Sequence, residues 1–172
     1  MIHILFDEQE IQERVHKLAS EIQDFYRGKP LSVIVLLNGG MLFASDLIRQ
    51  INLPMYVDSF AVSSYADNQS TGKLQIRSNI KLSVKERHVL ILDDILDTGF
   101  TLQKTKQHFR NAGAVDVRSC VLLDKILPPG KKKQEISEWH CFQVPDCYIV
   151  GYGLDSNELY RNLPYIGYVK ND

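Results

Sequence analysis

Val89-Leu90-Ile91-Leu92-Asp93-Asp94-Ile95-Leu96-Asp97-Thr98-Gly99-Phe100-Thr101-Leu102 is the stretch that decides the fold. It opens with four consecutive apolar residues, which predicts a strand buried on both faces, as in a parallel sheet. After Gly99 the apolar spacing becomes helical, which predicts a helix. The helical positions are Leu102, Thr105, Phe109 and Ala112. The sequence therefore predicts an α/β fold with a central, mainly parallel sheet flanked by helices.

Three acids and a helix start follow this strand. Ligands of parallel sheets gather at the carboxyl ends of the strands, and the free N–H groups at a helix N-terminus attract phosphate. Asp93, Asp94 and Asp97 would repel a phosphate there unless the ligand brings hydroxyl groups or Mg²⁺ bridges the charges. A sugar phosphate that binds together with a metal ion meets both demands.

The same residues resemble the phosphoribosyl pyrophosphate (PRPP) motif of type I phosphoribosyltransferases, an apolar run followed by two acids, two apolar residues and Asp-Thr-Gly-x-Thr. The resemblance implies that Asp93 and Asp94 bind the ribose hydroxyls, that Asp93 helps to hold Mg²⁺, and that the following loop binds the 5′-phosphate. We assign Asp97 as the general base, because a carboxylate near purine N7 can accept its proton. The implied PRPP-binding residues are Asp93, Asp94, Asp97, Thr98, Gly99 and Thr101.

Two other protein classes share fragments of this stretch. Asp97-Thr98-Gly99 is also the triplet of aspartic proteases, in which two carboxylates share a proton, but those enzymes have all-β folds. Paired acids after an apolar strand also occur in phosphoacceptor receiver domains, which place them at the first strand, whereas Asp93 lies in the middle of this chain. Both classes fit poorly.

A second apolar run, Leu31 to Leu37, ends in Asn38-Gly39-Gly40 before a predicted helix at 41–50. Glycines at such a junction let backbone N–H groups approach a pyrophosphate closely. The loop resembles the pyrophosphate loop of purine phosphoribosyltransferases, usually Leu-Lys-Gly-Gly. Because Asn38 replaces the usual lysine, pyrophosphate contacts here must depend more on backbone N–H groups, and the strained peptide often found at that step comes into question.

A third predicted strand, Tyr56 to Val62, leads into a segment with little to bury, and 74–80 is predicted to return as an outer strand. The segment could be a plain hairpin connection. It also resembles the flexible catalytic loop of hypoxanthine-guanine phosphoribosyltransferases, predicted here as a mobile loop at 63–74. By that resemblance Ser64 and Tyr65 close over the reacting centre and exclude water.

The resemblance also supplies a base site. Lys125 follows another predicted strand, 115–123, and matches the lysine that donates to the 6-oxo group of a purine; taken alone, it could be a solvated lysine. Further on, Tyr148 would stack on the base, or could simply be core together with Ile149. The remaining implied roles are base contacts from the Ile149 and Asp155 backbones, a Mg²⁺ ligand at Asp155 and a pyrophosphate contact from Arg161.

From the Asn38 loop to Arg161, the resemblance predicts a 6-oxopurine phosphoribosyltransferase that joins hypoxanthine or guanine to PRPP with Mg²⁺, giving IMP or GMP and pyrophosphate. It implies a single domain, 1–172, with a small hood built from the terminal segments, and a homodimer or homotetramer. The alternatives are a PRPP-sensing RNA-binding regulator and a transferase for another base, such as xanthine, adenine or a pyrimidine.

Composition narrows the remaining function classes. The 172 residues include 20 basic and 21 acidic ones, so no general attraction to nucleic acid or to an anionic membrane is expected. The three cysteines lack C-x-x-C spacing, which indicates free thiols rather than disulfides or a zinc site. No leader-like segment or spanning apolar run is present, so we expect a cytoplasmic protein. Near the start, Asp7 and Glu10 predict a capping box that begins a helix ending near Tyr26.

Overall fold

The structure, a computed structural model, describes residues 1–63 and 75–169. Nine strands and three helices are formed within these residues. In chain order they are β1 (Ile2–Phe6), α1 (Glu8–Tyr26), β2 (Leu31–Leu37), α2 (Met41–Ile48), β3 (Met55–Ser63), β4 (Gln75–Ser78), β5 (His88–Leu96), α3 (Phe100–Asn111), β6 (Asp116–Lys125), β7 (Trp139–Val144), β8 (Ile149–Val150) and β9 (Ile166–Val169).

The larger sheet has six strands in the order β4-β3-β2-β5-β6-β7. All neighbouring pairs are parallel except β3 and β4, so β4 is an antiparallel edge strand. The decisive strand, β5, lies near the centre between β2 and β6, which confirms the predicted mainly parallel sheet. Strand β7 was not predicted, because an edge strand of mixed burial leaves no apolar run in the sequence.

Two hydrophobic layers explain why β2 and β5 are apolar at successive positions. Val33 and Leu90 face the layer that includes α1 and α2, whereas Ile34 and Ile91 face the layer that includes α3. Both faces of these strands are therefore covered, as expected for parallel strands. The strand ends, which carry the polar residues, emerge at one edge of the sheet.

The helices begin where their sequences predict. Asp7 and Glu10 form the complete capping box of α1, and Gly99 is the N-cap of α3. The predicted buried face of α3 was wrong at one position. Ala112 lies after the end of the helix and is exposed, whereas Lys106, which was not predicted to be buried, is buried. Lys106 can be buried because acidic and carbonyl oxygens from a distant segment surround its ammonium group.

A small antiparallel sheet, β1-β9-β8, forms the hood, and its strands come from the two ends of the chain. Ile149 and Ile166 of this sheet belong to the same hydrophobic cluster as α1. Within the described part of the chain, no helix combines the length and apolar character needed to cross a membrane.

Candidate active site

A cavity of about 430 Å³ opens at the carboxyl end of β5. It is lined by the continuous segment 93–102 together with Val121. This segment contains all six residues of the predicted PRPP site: Asp93, Asp94, Asp97, Thr98, Gly99 and Thr101. The acids and the start of α3 therefore share one cleft.

Asp93 and Asp94 are adjacent acids at the base of this cleft. The backbone N–H of Asp94 donates to Oδ1 of Asp93 over 3.0 Å, and that of Ile95 donates to Oδ1 of Asp94 over 2.8 Å. Burial and the adjacent Asp94 carboxylate raise the pKa of Asp93 well above its ordinary value. Burial also raises the pKa of Asp94. Such a pair favours a bound cation or a ligand with hydroxyl donors.

The start of α3 presents backbone N–H groups that could bind an anion. Gly99 adopts a left-handed conformation, with φ of 83°, and provides no side-chain cap. Among the described residues, the Phe100 N–H makes one long contact, 3.4 Å from the Thr98 hydroxyl. The first N–H groups of the helix thus remain open to a ligand in the cleft.

The Asn38-Gly39-Gly40 loop borders the acid pair. A Cβ atom on Gly39 would overlap the carboxylate of Asp94, and a Cβ atom on Gly153 would overlap the carbonyl oxygen of Gly39. The loop is therefore wedged between the end of β5 and the segment after β8. Asn38 is exposed, and the Leu37–Asn38 peptide bond is cis despite the departure from the usual lysine.

Arg161 and Asp155 meet beside this loop. Nη1 of Arg161 donates to the Gly153 carbonyl over 2.7 Å, and Nη2 lies 2.8 Å from Oδ1 of Asp155. Glu158 also contacts Nη2, at 3.0 Å. Since Gly153 packs on Gly39, the predicted pyrophosphate residues form one contiguous rim.

Lys125 lies at the end of β6, next to the acids of the β5 loop. Its Nζ is 2.8 Å from Oδ1 of Asp146 and 3.7 Å from Oδ2 of Asp97. Burial alone would lower the pKa of Lys125, but the hydrogen bond with Asp146 and the charge of Asp97 outweigh it and raise the pKa. Lys125 is thus a protonated donor held beside Asp97, and it is only 15% exposed.

The predicted base-stacking residue is accessible. Tyr148 is 57% exposed, so it is not a core residue, whereas the side chain of Ile149 is buried and leaves its backbone for other contacts. Tyr148 follows Asp146, the ion-pair partner of Lys125, by two residues in the chain. The predicted loop residues Ser64 and Tyr65 lie outside the described residues.

The sequence reasoning missed two sets of residues. Asp146, the ion-pair partner of Lys125, belongs to no sequence motif and looks like any other acidic residue in a loop. Asp46 of α2 accepts hydrogen bonds from the Tyr152 hydroxyl over 2.6 Å and from Gln12 over 2.9 Å. The first of these bonds links α2, the helix after the glycine loop, to the segment that follows β8 of the hood. Tyr152 is 106 residues from Asp46 in the chain, so no local pattern could reveal this pair.

The model of the phosphoribosyl transferase domain family matches residues 2–157 of this chain. The chain belongs to this family. Among similar proteins, the hypoxanthine phosphoribosyltransferase of Haemophilus influenzae is 36% identical over 173 residues, covering 98% of this chain and 95% of that protein. The hypoxanthine-guanine-xanthine phosphoribosyltransferase of Tritrichomonas foetus is 36% identical, covering 97% and 91%.

Solved phosphoribosyltransferases share the fold. The crystal structure of a Staphylococcus aureus hypoxanthine phosphoribosyltransferase has a TM-score of 0.90 and 38% identity, covering 98% of this chain and 91% of that chain. The predicted fold, a mainly parallel sheet with flanking helices and a hood, is thereby confirmed. Phosphoribosyltransferases generally use Mg²⁺ together with PRPP.

The residues of the cleft fit Mg²⁺. Asp93 and Asp94 supply hard carboxylate oxygens, and their mutual repulsion favours a cation. No cluster of three or more His, Cys, Asp or Glu residues suited to a metal occurs within 1–63 and 75–169. In phosphate-binding enzymes Mg²⁺ is usually bound by one or two carboxylates, and water and substrate oxygens complete its coordination.

Proposed function

We propose that this protein transfers the 5-phosphoribosyl group of PRPP to hypoxanthine or guanine, forming IMP or GMP and releasing pyrophosphate. The observation that carries the proposal is the position of Lys125, 3.7 Å from Asp97 at the border of the acid-lined cleft. A fixed cation can donate a hydrogen bond to a 6-oxo group, and a carboxylate beside it can accept the hydrogen bond of a purine N7–H. The 6-oxo group and the N7–H belong to the same heterocycle, a 6-oxopurine.

PRPP binding follows from the cleft. The ribose hydroxyls donate to Asp93 and Asp94, and the 5′-phosphate accepts from the open N–H groups at 99–101 and from the hydroxyls of Thr98 and Thr101. The pyrophosphate lies along Gly39 and Arg161 on the adjoining rim. Asp93 and Asp155 would hold Mg²⁺ together with substrate oxygens, and the ion would supply positive charge to offset that of the pyrophosphate.

The transfer itself exchanges one bond at C1′ of the ribose. The bond from C1′ to the pyrophosphate oxygen breaks and the bond from C1′ to purine N9 forms, while the proton of N7 passes to Asp97. Lys125 donates to the 6-oxo group, where negative charge gathers as N7 loses its proton. Tyr148 provides an exposed ring for stacking against the base.

Lys125 also bears on the competing bases. Its ammonium group only donates hydrogen bonds, so it pairs with the oxo group of hypoxanthine or guanine and not with the amino group of adenine. The backbone around Ile149 and Asp155 contacts the purine edge, as the family resemblance implies. Xanthine also carries a 6-oxo group that Lys125 can bind, so an activity assay decides whether xanthine is preferred.

We propose further that the protein assembles as a homodimer or homotetramer in the cytoplasm. Met41 and Val57 are exposed, and both line a second cavity of about 390 Å³ between α2 and β3. Such an exposed apolar patch suits contact with another copy. The cysteines, all free, suit a reducing compartment. Light scattering after gel filtration measures the assembly.

The proposed function is tested by steady-state ultraviolet assays with PRPP, Mg²⁺ and each of hypoxanthine, guanine, xanthine and adenine. We expect turnover with hypoxanthine or guanine and none with adenine. Absence of turnover with every 6-oxopurine, together with tight RNA binding in a filter assay, would instead favour the regulator.

A further inference from the structure

Residues 134–138, here named the strap, cross the loop at 97–101 that would bind the 5′-phosphate, here named the phosphate loop, without forming regular secondary structure. The N–H of Gln134 donates to the Thr98 carbonyl over 2.8 Å. The backbone of Glu135 lies so close to Gly99 that a Cβ atom on this glycine would meet its N and O atoms at 2.7 and 2.8 Å. The strap therefore packs directly on the two residues that precede α3.

The strap is anchored by a buried lysine. Lys106 of α3 is 1% exposed, and its Nζ lies 3.0 Å from both carboxylate oxygens of Glu138. It also donates to the Ile136 carbonyl over 2.9 Å and lies 3.6 Å from Glu135. All these partners belong to the strap. An ammonium group withdrawn from water needs such partners, so the burial of Lys106 depends on the strap being in place.

Two further contacts fix the strap from either side. Glu138 accepts from the backbone N–H of Ser119 over 2.7 Å and from its hydroxyl over 3.1 Å, which ties the strap to β6. Gln103, on the first turns of α3, donates its side-chain amide to the Gln134 carbonyl over 3.0 Å. The strap is thus clamped between α3 and β6, with the phosphate loop beneath it.

We infer that the strap positions the 5′-phosphate loop and that Lys106 is the positioning residue that holds it, an inference that rests on the proposed function. The physical reason lies in the Thr98–Gly99 peptide. Because the strap binds the Thr98 carbonyl and covers the outer side of Gly99, this turn keeps its left-handed conformation. Its N–H groups then face the cleft before any phosphate arrives. A loop fixed in advance binds its ligand without an ordering cost.

The matched variants Gln103→Ala and Gln107→Ala, one helical turn apart, test this role. Gln103 contacts the strap, whereas the side chain of Gln107 donates to Asn111 on its own helix. Lys106→Met removes the anchoring charge. We expect Kd and KM for Mg²⁺-PRPP to rise about tenfold in Lys106→Met and severalfold in Gln103→Ala, with little change in kcat or in KM for the purine. Gln107→Ala should match the wild type.

Each outcome bears on the inference. Unchanged PRPP affinity in folded Lys106→Met and in Gln103→Ala overturns it, as do equal losses for PRPP and purine. If Lys106→Met fails to fold, the comparison of Gln103→Ala with Gln107→Ala decides alone. Calorimetric Kd values separate the two proposals: a wild type that binds PRPP but transfers no purine refutes the function and still tests the strap. A wild type that does not bind PRPP overturns both.

Discussion

Gly39 lies directly against the carboxylate of Asp94, so close that an added Cβ atom would overlap Oδ2. This contact joins the glycine loop after β2 to the acid pair of β5. We predict that Gly39→Ala displaces Asp94 and lowers kcat/KM for PRPP by about 10²-fold, since small misplacements of binding groups are costly. Steady-state kinetics with varied PRPP measure this.

Gly28→Ala is the control for that variant. Gly28 has φ of 74°, but no atom of residues 1–63 or 75–169 lies within 4 Å of the position that a Cβ atom would take, so alanine there causes backbone strain without a clash. It should cost about 1–2 kcal/mol of folding free energy and leave kcat/KM unchanged. Near-normal kinetics in Gly39→Ala would show that the loop does not border the PRPP site.

The adjacent acids Asp93 and Asp94 should lower the folding stability of the protein when no cation is bound. Burial and the charge of Asp94 raise the pKa of Asp93, which shows that the ionised pair is unfavourable without a cation. We predict that Asp93→Asn raises the thermal midpoint in EDTA by about 2–4 °C, corresponding to about 1 kcal/mol, and weakens PRPP binding. Thermal unfolding with and without Mg²⁺-PRPP tests both parts, and a lowered midpoint in EDTA would contradict the first.

Lys125 should control recognition of the 6-oxo group. Loss of one charged hydrogen bond in Lys125→Met should reduce kcat/KM for hypoxanthine by about 10- to 100-fold, while KM for PRPP stays near its wild-type value. Lys17→Met, at an exposed position of α1, serves as the control. An equal rise in KM for PRPP would place Lys125 at the other substrate.

The Tyr152–Asp46 pair should stabilise the hood against α2. Tyr152→Phe removes a 2.6 Å hydrogen bond to a carboxylate and should cost about 1–2 kcal/mol at pH 7. Arg49→Ala, which removes an exposed ion pair of Asp46, should cost less than about 1 kcal/mol. Denaturant unfolding measures both, and equal losses in the two variants would contradict the prediction.

The same pair predicts a pH dependence. Burial raises the pKa of Asp46, but hydrogen bonds from Tyr152, Gln12 and Arg49 outweigh it and hold the pKa below its ordinary value. Asp46 therefore stabilises the fold above the ordinary aspartate pKa of about 3.9, and this stabilisation disappears as the pH falls through the lowered pKa. The difference in the free energy of unfolding between the wild type and Tyr152→Phe should therefore become smaller as the pH falls through this range.

The sheet could be predicted because its central strands are buried on both faces, which leaves unbroken apolar runs such as that of β5. The acids and glycines at the strand ends were equally visible, since each belongs to a short local motif. What could not be predicted depends on contacts distant in sequence. Lys106 and Glu138 are 32 residues apart, and nothing local marks a lysine as buried. The partner of Lys125, Asp146, was hidden for the same reason.

Asp97→Asn tests the central claim most directly, because it keeps the size of the side chain in the PRPP loop and removes the carboxylate charge of the proposed base. Calorimetry should show Mg²⁺-PRPP binding close to that of the wild type, while turnover with hypoxanthine falls by about 10²- to 10⁴-fold. Asp116→Asn, at the opposite end of the sheet, should leave both values unchanged. Near-normal turnover in Asp97→Asn, or loss of PRPP binding in step with turnover, would contradict the assignment.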